Sequence, residues 1–377
     1  MKIIHLGKYY PPEMGGIETA TQAIVRGQTH NGHEVIVVCF STQAGGGTVS
    51  DDAKIHRFPI NFKIGSQPIG LHYFFEGFRL ALKSDAVHIH APNLLASLLS
   101  IFLPKRIKVI VHWHSDIIGK GVLGAMVRPI EIAMIARADA IIGTSTPYID
   151  SSTILRKARA KTSIVPLGAA PPKPQHIDGG TLSPSIFKFI GQRKLVLATG
   201  RLVPYKGFRF LIDAAHQLDE DTAIVIAGDG PCRAELQKQI SESGLVHKVL
   251  LTGRVSDETL AGLFQRASVF CLPSIERSEA FGMVLLEAMS YGVPIVATTV
   301  EGSGMSWVNQ HNVSGLNVPE RDPDALAQAC RLILTDSNLH KRLASDALLR
   351  YRSLFTVEAT NQSIEALYQR LVNPSNR

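Results

Sequence analysis

The feature that most constrains the fold is an alternation of short β-branched runs with longer helical stretches, which occurs twice along the chain. This alternation is typical of doubly wound parallel sheets, because each helix returns the chain to the start of the next strand. The predicted strands cover residues 2–6, 34–39, 54–58, 86–89, 108–111, 140–143 and 162–165, and then 195–199, 223–227, 249–251, 269–272, 294–297 and 315–318. The sequence therefore predicts an α/β protein with two Rossmann-like units.

A segment rich in proline and glycine, residues 169–185, separates the two series of strands and is predicted to be the linker. The length of 377 residues suits two domains better than one. We expect an N-terminal domain over residues 1–180, a C-terminal domain over 181–355 and a final helix within 356–377. Two such domains are expected to face each other across a cleft, where ligands usually bind.

The positive charge is concentrated in the first half of the chain. Residues 1–180 contain 19 lysines and arginines against 12 acidic residues, and residues 181–377 contain 20 of each, so the first half carries the whole net charge of +7. The excess of positive charge predicts an anionic membrane surface or a lipid diphosphate as a partner of the first domain. The alternative is that the charge only keeps the protein soluble. Nucleic acid is not expected, because the basic residues are not interleaved with aromatic ones.

The predicted location is the cytoplasm, at most peripheral to the inner face of the plasma membrane. No targeting segment is predicted before the first strand, and the longest apolar stretch, residues 94–103, is too short for a bilayer, which takes about 20 residues. The four cysteines have no metal-binding or disulfide-like spacing, which favours a reducing compartment. The helix predicted over residues 71–83 has an aromatic face that we expect to pack in the core, with membrane docking as the alternative.

Two glutamates, Glu279 and Glu287, are eight residues apart, and Phe281-Gly282 between them is predicted to open a helix. The N-terminus of a helix carries free N–H groups and a partial positive charge, so it binds phosphate readily. Carboxylates accept hydrogen bonds from sugar hydroxyls. This stretch therefore predicts a site for a phosphorylated sugar.

A second motif, GRLVPYKG, follows a predicted strand and precedes a helix at residues 200–207. Arg201 offers a planar fork of donors and Lys206 a mobile point charge, and together they suit a diphosphate. Near the start of the chain, Gly15 and Gly16 precede another predicted helix and would let the backbone come close to a ligand.

The run SEAFGMVLLEAM, residues 278–289, resembles the E-x7-E motif of the retaining glycosyltransferases of family 4, a large family with the GT-B fold that includes sucrose synthases and mannosyltransferases. The resemblance extends over nearly the whole chain. The other motifs that fit the family, in the same order, are Gly15-Gly16, Ala138-Asp139-Ala140 followed by Ser145, and Gly200-Arg201 with Lys206-Gly207. The resemblance implies a nucleotide-sugar donor, retention of the anomeric configuration, and a C-terminal helix that crosses back to the first domain.

The resemblance also implies roles for individual residues. The implied catalytic residues are His114, Glu279, Arg201 and Lys206. The implied donor-binding residues are Gly15, Gly16, Arg201, Lys206, Val255, Asp257, Glu279, Ala280, Phe281, Gly282, Met283 and Glu287. Glu287 would bind the ribose hydroxyls and Glu279 those of the donor sugar. Asp257 would either contact a guanine base or cap the helix that starts near Glu258.

His112 and His114 follow a predicted strand, and we expect them to point to opposite sides, so that only one reaches the cleft. The resemblance selects His114 as the histidine near the transferred sugar. On the same assumption, the two histidines and Asp116 are not expected to chelate a metal. The acidic clusters at residues 219–221 and 322–324 adjoin helices and are expected to be caps. We therefore predict no metal and no cofactor, with the nucleotide-diphosphate sugar as co-substrate.

The resemblance, together with these residues, implies a retaining, metal-independent hexosyltransferase that extends a lipid-linked saccharide in the synthesis of bacterial surface polysaccharide or lipopolysaccharide. GDP-mannose is the favoured donor. No carboxylate is identified as a nucleophile, so a front-face substitution is favoured over a double displacement. The alternatives are a UDP-sugar-dependent glucosyl- or N-acetylglucosaminyltransferase, a UDP-sugar 2-epimerase, and a non-catalytic subunit that binds a sugar nucleotide.

Overall fold

The computed structural model describes residues 1–13, 15–41, 48–50, 53–117, 121–170 and 182–372. It divides the chain into two compact units: the first unit comprises Met1–Gly168 and Val357–Arg377, and the second unit comprises Ala169–Thr356. The division falls after Gly168, earlier than the predicted boundary at residue 180. Most of the predicted linker, residues 171–181, lies outside the described residues.

The strands overlap all those predicted, and three short ones, β3, β5 and β6, were not predicted. They are β1 (Lys2–Leu6), β2 (Glu34–Ser41), β3 (Thr48–Ser50), β4 (Lys54–Pro59), β5 (Phe62–Ile64), β6 (Gln67–Ile69), β7 (Ala86–Ala91), β8 (Lys108–Trp113), β9 (Ala140–Gly143), β10 (Thr162–Ile164), β11 (Lys194–Thr199), β12 (Thr222–Ala227), β13 (Val249–Gly253), β14 (Val269–Leu272), β15 (Ile295–Thr299) and β16 (Gly315–Pro319).

Helices alternate with these strands, as the sequence pattern predicts. They are α1 (Gly16–His30), α2 (Leu71–Ala81), α3 (Leu94–Ile101), α4 (Gly121–Arg137), α5 (Thr146–Ser151), α6 (Thr153–Lys157), α7 (Pro184–Ile190), α8 (Phe208–Ala214), α9 (Arg233–Glu242), α10 (Asp257–Arg266), α11 (Met283–Ser290), α12 (Met305–Val308), α13 (Pro323–Thr335), α14 (Ser337–Leu354) and α15 (Val357–Val372).

The sheet of the first unit has, within the described ranges, eight strands in the order β10-β9-β8-β7-β1-β2-β4-β3. Neighbouring strands are parallel except for β3 and β4. The chain leaves β1 on one side toward β2 and later returns on the other side at β7, so the strand order reverses between β1 and β7. Open α/β sheets bind ligands beyond the carboxyl ends of the strands at such a reversal.

The sheet of the second unit is parallel, with the order β13-β12-β11-β14-β15-β16 among the described residues. Strand β12 is buried along its whole length, as expected for a parallel sheet covered on both faces. Here the order reverses between β11 and β14. The loops that follow these two strands carry the two motifs on which the predicted site depends.

The C-terminal helix α15 belongs to the first unit. Its buried residues Ile364, Leu367 and Tyr368 join an apolar cluster with Ile3 of β1 and Ile24 of α1. This helix therefore contributes to the core of the unit with which the chain begins.

Helix α2 buries a different face from the one that we expected. Its buried residues are Tyr73, Gly77 and Ala81, whereas Leu71 and Phe75 are each 64% exposed. The small residues Gly77 and Ala81 let the helix approach the sheet closely, so Phe75 turns outward and Phe74 and Phe78 are only half-buried. Within the described parts of the chain, no helix combines the length and the apolar character needed to cross a bilayer.

Candidate active site

In the second unit, the loops after β11 and β14 come together because the two strands are neighbours at the reversal of strand order. The backbone N–H of Ile275 donates to the carbonyl of Tyr205 at 2.8 Å, which ties one loop to the other. The Nζ atom of Lys206 lies 2.6 Å from Oε2 of Glu279, and the two side chains are only 8% and 11% exposed. The two predicted motifs therefore meet in a buried ion pair.

Gly207 allows this close approach of the two loops. Its backbone is left-handed, with φ of 66°, and a Cβ atom at this position would collide with the carbonyl oxygen of Pro273. Any other residue would be strained by its backbone conformation and would also push the loops apart.

Glu279 and Ala280 are held by side chains and backbone around them. Ser274 Oγ donates to Glu279 Oε2 at 3.4 Å, and the hydroxyl of Ser303 donates to the backbone carbonyl of Glu279. The N–H of Gly304 donates to the carbonyl of Ala280 at 2.8 Å. The position of Glu279 is thus fixed by the segment before α12, which the sequence analysis did not connect with the site.

Helix α11 starts directly after Gly282, which is left-handed with φ of 81°. Phe281 is buried and its ring packs 6.4 Å from that of Trp307 and 6.1 Å from that of Phe355, measured between centroids. A helix that starts at Met283 leaves its first N–H groups without intrahelical acceptors. These groups follow Glu279 in the same loop, at the helix end for which the sequence predicted anion binding.

Ionisation of the site is governed by burial and by the ion pair. Burial favours the neutral form of Lys206, but the carboxylate of Glu279 outweighs it, and the pKa of Lys206 is raised. Burial raises the pKa of Glu287 to about 7, with Lys206 opposing the rise and Asp257 adding to it. Lys206 is therefore firmly cationic, and Glu287 changes charge near neutral pH.

The remaining residues predicted for the second unit lie at its surface or in partly buried positions. Arg201 is exposed. Burial raises the pKa of Tyr205, and the nearby charge of Arg201 opposes this rise. Asp257 is exposed and is the first residue of α10, whereas Val255 and Met283 are half-buried.

Two predicted helix caps differ from the observed ones. Ser256 caps α10, because its Oγ accepts the N–H of Thr259 at 3.2 Å, so the alternative that Asp257 is the cap was wrong. Asp322 does cap α13. Residues 219–221 precede strand β12 and not a helix. Asp221 pairs with Lys194, and Glu220 pairs with Lys248.

In the first unit, Gly15 and Gly16 are exposed at the start of α1. They end the loop after β1, at the reversal of strand order in this sheet. The Asp139 carboxylate accepts the N–H of Val109 at 2.9 Å, and Ser145 caps α5. These two residues, which belong to the quoted motifs, thus have structural partners.

Five histidines share one face of the sheet at the carboxyl ends of β1, β7 and β8: His5, His88, His90, His112 and His114. All five are buried. Their rings are stacked or tilted against one another, with the shortest centroid distance, 4.2 Å, between His112 and His114. Hydrogen bonds of 3.0 Å connect His5 with His90 and His90 with His114.

The expectation that His112 and His114 point to opposite sides was wrong. Side chains alternate along a strand, so residues i and i+2 share a face. The two imidazoles lie nearly parallel, at 13°. Both histidines therefore belong to one cluster, and the argument against metal binding that depended on divergence does not hold.

The histidine cluster is uncharged at neutral pH. Burial lowers the pKa of His5 to about 4 and that of His114 to about 3, the latter with help from Lys8. Burial also lowers the pKa values of the other three histidines well below the usual range.

One atom of each of His88, His90 and His112 lies within 4.8 Å of the others, which is the spacing of a possible metal site. A metal requires lone pairs that converge on one point. The rings of His88 and His90 are stacked at 15°, and those of His90 and His112 at 25°, so their lone pairs run side by side. In addition, His90 uses both ring nitrogens in hydrogen bonds. The arrangement suits hydrogen bonding better than chelation.

Asp116 has two partners near the end of β8. Its Oδ1 accepts the indole N–H of Trp113 at 2.7 Å and the hydroxyl of Ser152 at 2.9 Å. This carboxylate therefore braces the loop that follows β8.

Sequence reasoning missed His5, His88 and His90. The signal that points to His88 and His90 is the pattern H-x-H, which occurs at residues 88–90 and again at 112–114, each time at the end of a predicted strand. His5 lies outside this pattern. Repetition of the pattern at two strand ends predicts a shared edge of the sheet.

Two doubly wound units in one chain, with a cationic loop and an E-x7-E helix at the reversal of strand order, define a protein of the GT-B fold class. The solved structures that resemble the chain agree. Sucrose-phosphate synthase of Thermosynechococcus elongatus covers 99% of both chains with a TM-score of 0.77 and 21% identity. The Anabaena protein HepE in complex with UDP and glucose covers 98% of this chain and 99% of its own, with a TM-score of 0.75 and 21% identity.

The family follows from sequence comparison. The family model "Glycosyl transferases group 1" matches residues 183–350 and "Glycosyl transferase 4-like domain" matches residues 15–168. The D-rhamnosyltransferase WbpZ of Pseudomonas aeruginosa is 32% identical over 94% of this chain and 92% of its own. The O-antigen chain mannosyltransferase C of Escherichia coli is 29% identical over 99% of both chains. The chain belongs to the group 1 glycosyltransferases.

Proposed function

We propose that this glycosyltransferase moves a hexose, with mannose from GDP-mannose as the favoured donor, onto a lipid-linked saccharide during the synthesis of a bacterial surface polysaccharide. The observation that carries the proposal is the buried Lys206–Glu279 pair next to the start of α11, at the reversal of strand order in the second unit. Support for the sugar and the pathway comes from full-length similarity to an O-antigen chain mannosyltransferase, and similarity to a D-rhamnosyltransferase supports sugar transfer.

The donor's diphosphate would bind between Lys206, Arg201 and the first N–H groups of α11. Negative charge develops on the diphosphate as its bond to the sugar breaks, and fixed donors stabilise that charge most effectively where water is excluded. The burial of Lys206 supports this role. Glu279, which already orients Lys206, would accept hydrogen bonds from the sugar, and Glu287 would accept them from the ribose.

The proposed reaction is a front-face substitution. The bond between the anomeric carbon and the β-phosphate oxygen breaks, and a bond forms from the acceptor's hydroxyl oxygen to the same carbon. The departing phosphate oxygen takes the acceptor's proton, so the anomeric configuration is retained without a covalent enzyme intermediate. Nuclear magnetic resonance of the product decides whether the anomeric configuration is retained, and an inverted anomeric centre would exclude the mechanism.

A UDP-sugar donor is the second candidate, and the Anabaena protein with bound UDP and glucose favours it. A panel of GDP- and UDP-sugars in a thermal-shift assay distinguishes the two donors. Ligand at about 100 times its Kd stabilises the folded protein by about 2.7 kcal/mol. We expect the largest shift with GDP-mannose, and a larger shift with a UDP-sugar would favour the second candidate.

Variants test the site with the same assay. Lys206→Ala and Glu287→Ala should weaken donor binding, whereas Glu279→Ala should mainly lower turnover. The matched control is Lys238→Ala, because Lys238 also pairs with a glutamate in the second unit but is 73% exposed. Donor binding and turnover that are unchanged in all three site variants would contradict the proposed site.

The proposed chemistry needs no metal, because the cationic side chains and helix amides neutralise the diphosphate. Transfer from the donor should therefore continue in excess EDTA, measured with a lipid extract as acceptor. Loss of transfer in EDTA that added Mg²⁺ or Mn²⁺ restores would contradict metal independence.

We further propose that the first unit binds the anionic membrane in which the lipid-linked acceptor lies. The basic excess of the first half supports electrostatic attraction, and the exposed Phe62, Leu71 and Phe75 support insertion of apolar side chains. Cosedimentation should be stronger with phosphatidylglycerol vesicles than with phosphatidylcholine vesicles, and Leu71→Ser with Phe75→Ser should weaken it. Equal binding to both kinds of vesicle would contradict the electrostatic part.

A further inference from the structure

Glu131 of α4 is a buried acid that the proposed function does not use. Its side chain is only 6% exposed, and its Oε2 lies 4.0 Å from Nη1 of Arg128, three residues earlier in the helix. This distance is that of an ion pair and is too long for a hydrogen bond. Within the described residues, no hydrogen bond reaches the carboxylate of Glu131. Such a carboxylate is costly, because burial removes the water that would otherwise donate to it.

The partner of Glu131 is held by another element. The guanidinium of Arg128 donates through Nη2 to the hydroxyl of Thr153, at the start of α6. The side chain of Arg128 is 39% exposed. The ion pair is therefore fixed in place by α6 and is open to solvent on the side of the arginine.

Asp116 adds a second negative charge to this part of the first unit. Its position beside the end of β8 is fixed by the two hydrogen bonds described above. Burial raises the pKa of Glu131 to about 7, with Arg128 opposing the rise and the charge of Asp116 adding to it. The two carboxylates are therefore close enough to act on each other. We call Asp116, Arg128, Glu131 and Thr153 the α4 polar group, and all four residues belong to the first unit.

The charges of the α4 polar group select the class of ligand that it can bind. Two carboxylates repel a phosphate, and Arg128 repels an ammonium group. A neutral hydroxyl is repelled by neither charge, and it can donate to a carboxylate or accept from a guanidinium. Neighbouring hydroxyls on a sugar ring can do both at once. The group therefore suits a neutral saccharide and not a diphosphate.

We propose that the α4 polar group binds the saccharide part of the acceptor, with one sugar hydroxyl donating to Glu131 and another accepting from Arg128. The proposal rests on the proposed function for the identity of the ligand. The buried carboxylate without a hydrogen-bond donor is, in contrast, a property of the free protein. A group that lowers stability in the free protein and gains its partner from a ligand is expected at a functional site.

Stability tests the proposal without any substrate. Glu131→Leu removes the buried polar group, while Arg128 keeps its solvent exposure and its bond to Thr153. Glu131→Gln has nearly the same shape as the parent side chain and carries no charge. Thermal unfolding is followed by the fluorescence of Trp113 in a Trp307→Phe background. We expect both variants to melt at least as high as the parent. Lower melting temperatures in both would mean that Glu131 is a structural partner of Arg128, and would overturn the proposal.

Kinetics test the role of the same group in binding. Initial rates are measured with a saturating nucleotide sugar and a lipid extract as the varied acceptor. We expect Glu131→Leu to raise the apparent KM for the lipid extract about 10- to 100-fold, which is the loss of one hydrogen bond to a charged group. The KM for the donor should not change. Glu131→Gln keeps an accepting oxygen and should lie between Glu131→Leu and the parent.

Glu34→Leu is the matched control for the loss of a paired carboxylate. Glu34 pairs with Lys2 but is 48% exposed, and it lies at the start of β2, the opposite end of a strand from the candidate site. This variant should change neither KM. Hydrolysis of the donor without acceptor should be parental in Glu131→Leu, and its loss would place Glu131 in the donor site and overturn the proposal.

The kinetic result also separates this proposal from the proposed function. A folded Glu131→Leu protein with a parental KM for the lipid extract would overturn the role of Glu131 alone. A parent that transfers no sugar from any GDP- or UDP-sugar would contradict the proposed function. In that event, lower melting temperatures of the two Glu131 variants would still overturn the proposal, and equal or higher ones would support it.

Discussion

Replacement of His112 by leucine should stabilise the first unit, and more strongly in acid. His112 is fully buried in β8, and both of its ring nitrogens lack hydrogen-bond partners within the described part of the chain. A buried polar group without a partner costs about 1–3 kcal/mol. Leucine has a similar volume and no polar atom, so His112→Leu should gain about this amount at neutral pH.

The gain should grow as the pH falls. Burial, reinforced by the neighbouring histidines, lowers the pKa of His112 well below its ordinary value of 6.5. Below that value the unfolded chain takes up a proton at this histidine and the folded protein does not, so stability falls by about 1.4 kcal/mol per pH unit. By about pH 5 the parent has lost about 2 kcal/mol through His112. The variant should then be more stable by about 3–5 kcal/mol.

The measurement needs a signal from the first unit alone, because a chain of two units need not unfold in one step. The sequence contains two tryptophans, Trp113 in the first unit and Trp307 in the second. In a Trp307→Phe background, urea unfolding followed by fluorescence reports on Trp113. The free energy of unfolding is measured at about pH 7.5, 6 and 5, with His72→Gln as control because His72 is exposed in α2.

Two results would refute this reasoning. A lower free energy of unfolding for His112→Leu at neutral pH would mean that the imidazole is satisfied by groups or waters beyond those described. A pH dependence equal to that of the parent would mean that His112 takes up its proton equally in the folded and unfolded states.

Three further predictions concern the second unit. Burial raises the pKa of Glu287 to about 7, and ribose hydroxyls donate hydrogen bonds to the ionised carboxylate. Donor affinity, measured by calorimetry, should therefore rise from about pH 6 to about pH 8. Glu287→Gln should flatten that rise. Removal of one partner from a buried ion pair costs about 3–5 kcal/mol, so Lys206→Met should destabilise the second unit by about that much in chemical denaturation. The addition of Glu279→Gln should recover most of this loss. A double variant as unstable as the single one would contradict the pairing. Gly207→Ala should lower the melting temperature clearly more than Gly244→Ala does. Both backbones are left-handed, with φ of 66° and 69°, but only at Gly207 would a Cβ meet backbone atoms. Equal losses of melting temperature would refute the steric argument.

The two-unit α/β fold is predictable from sequence because it depends on local alternation of strand and helix, and the same local reading finds the loops that carry Lys206 and Glu279. Contacts between distant segments are not local. The support of Glu279 by Ser303 depends on how the segment before α12 returns to the site, and no pattern near either residue reports it.

The histidine cluster shows a different kind of failure. The register of β1, β7 and β8 places His5 opposite His88 and His90 opposite His112. A single sequence does not specify that register. The pairing of His112 with His114, in contrast, follows from the two-residue period of a strand and was misread. The register is information that the sequence lacks, whereas the wrong expectation for His112 and His114 was an error of geometry.

The return of α15 to the first unit has a consequence for biosynthesis. The apolar cluster around Ile3 and Ile24 is completed by Ile364 and Leu367, and Tyr368 OH lies 2.9 Å from His88 Nδ1. During translation, the ribosome therefore makes β1 and α1 early and α15 late, and it makes the entire second unit between them. The second unit can fold while the chain is still growing, and the first unit closes its core only when the last helix emerges.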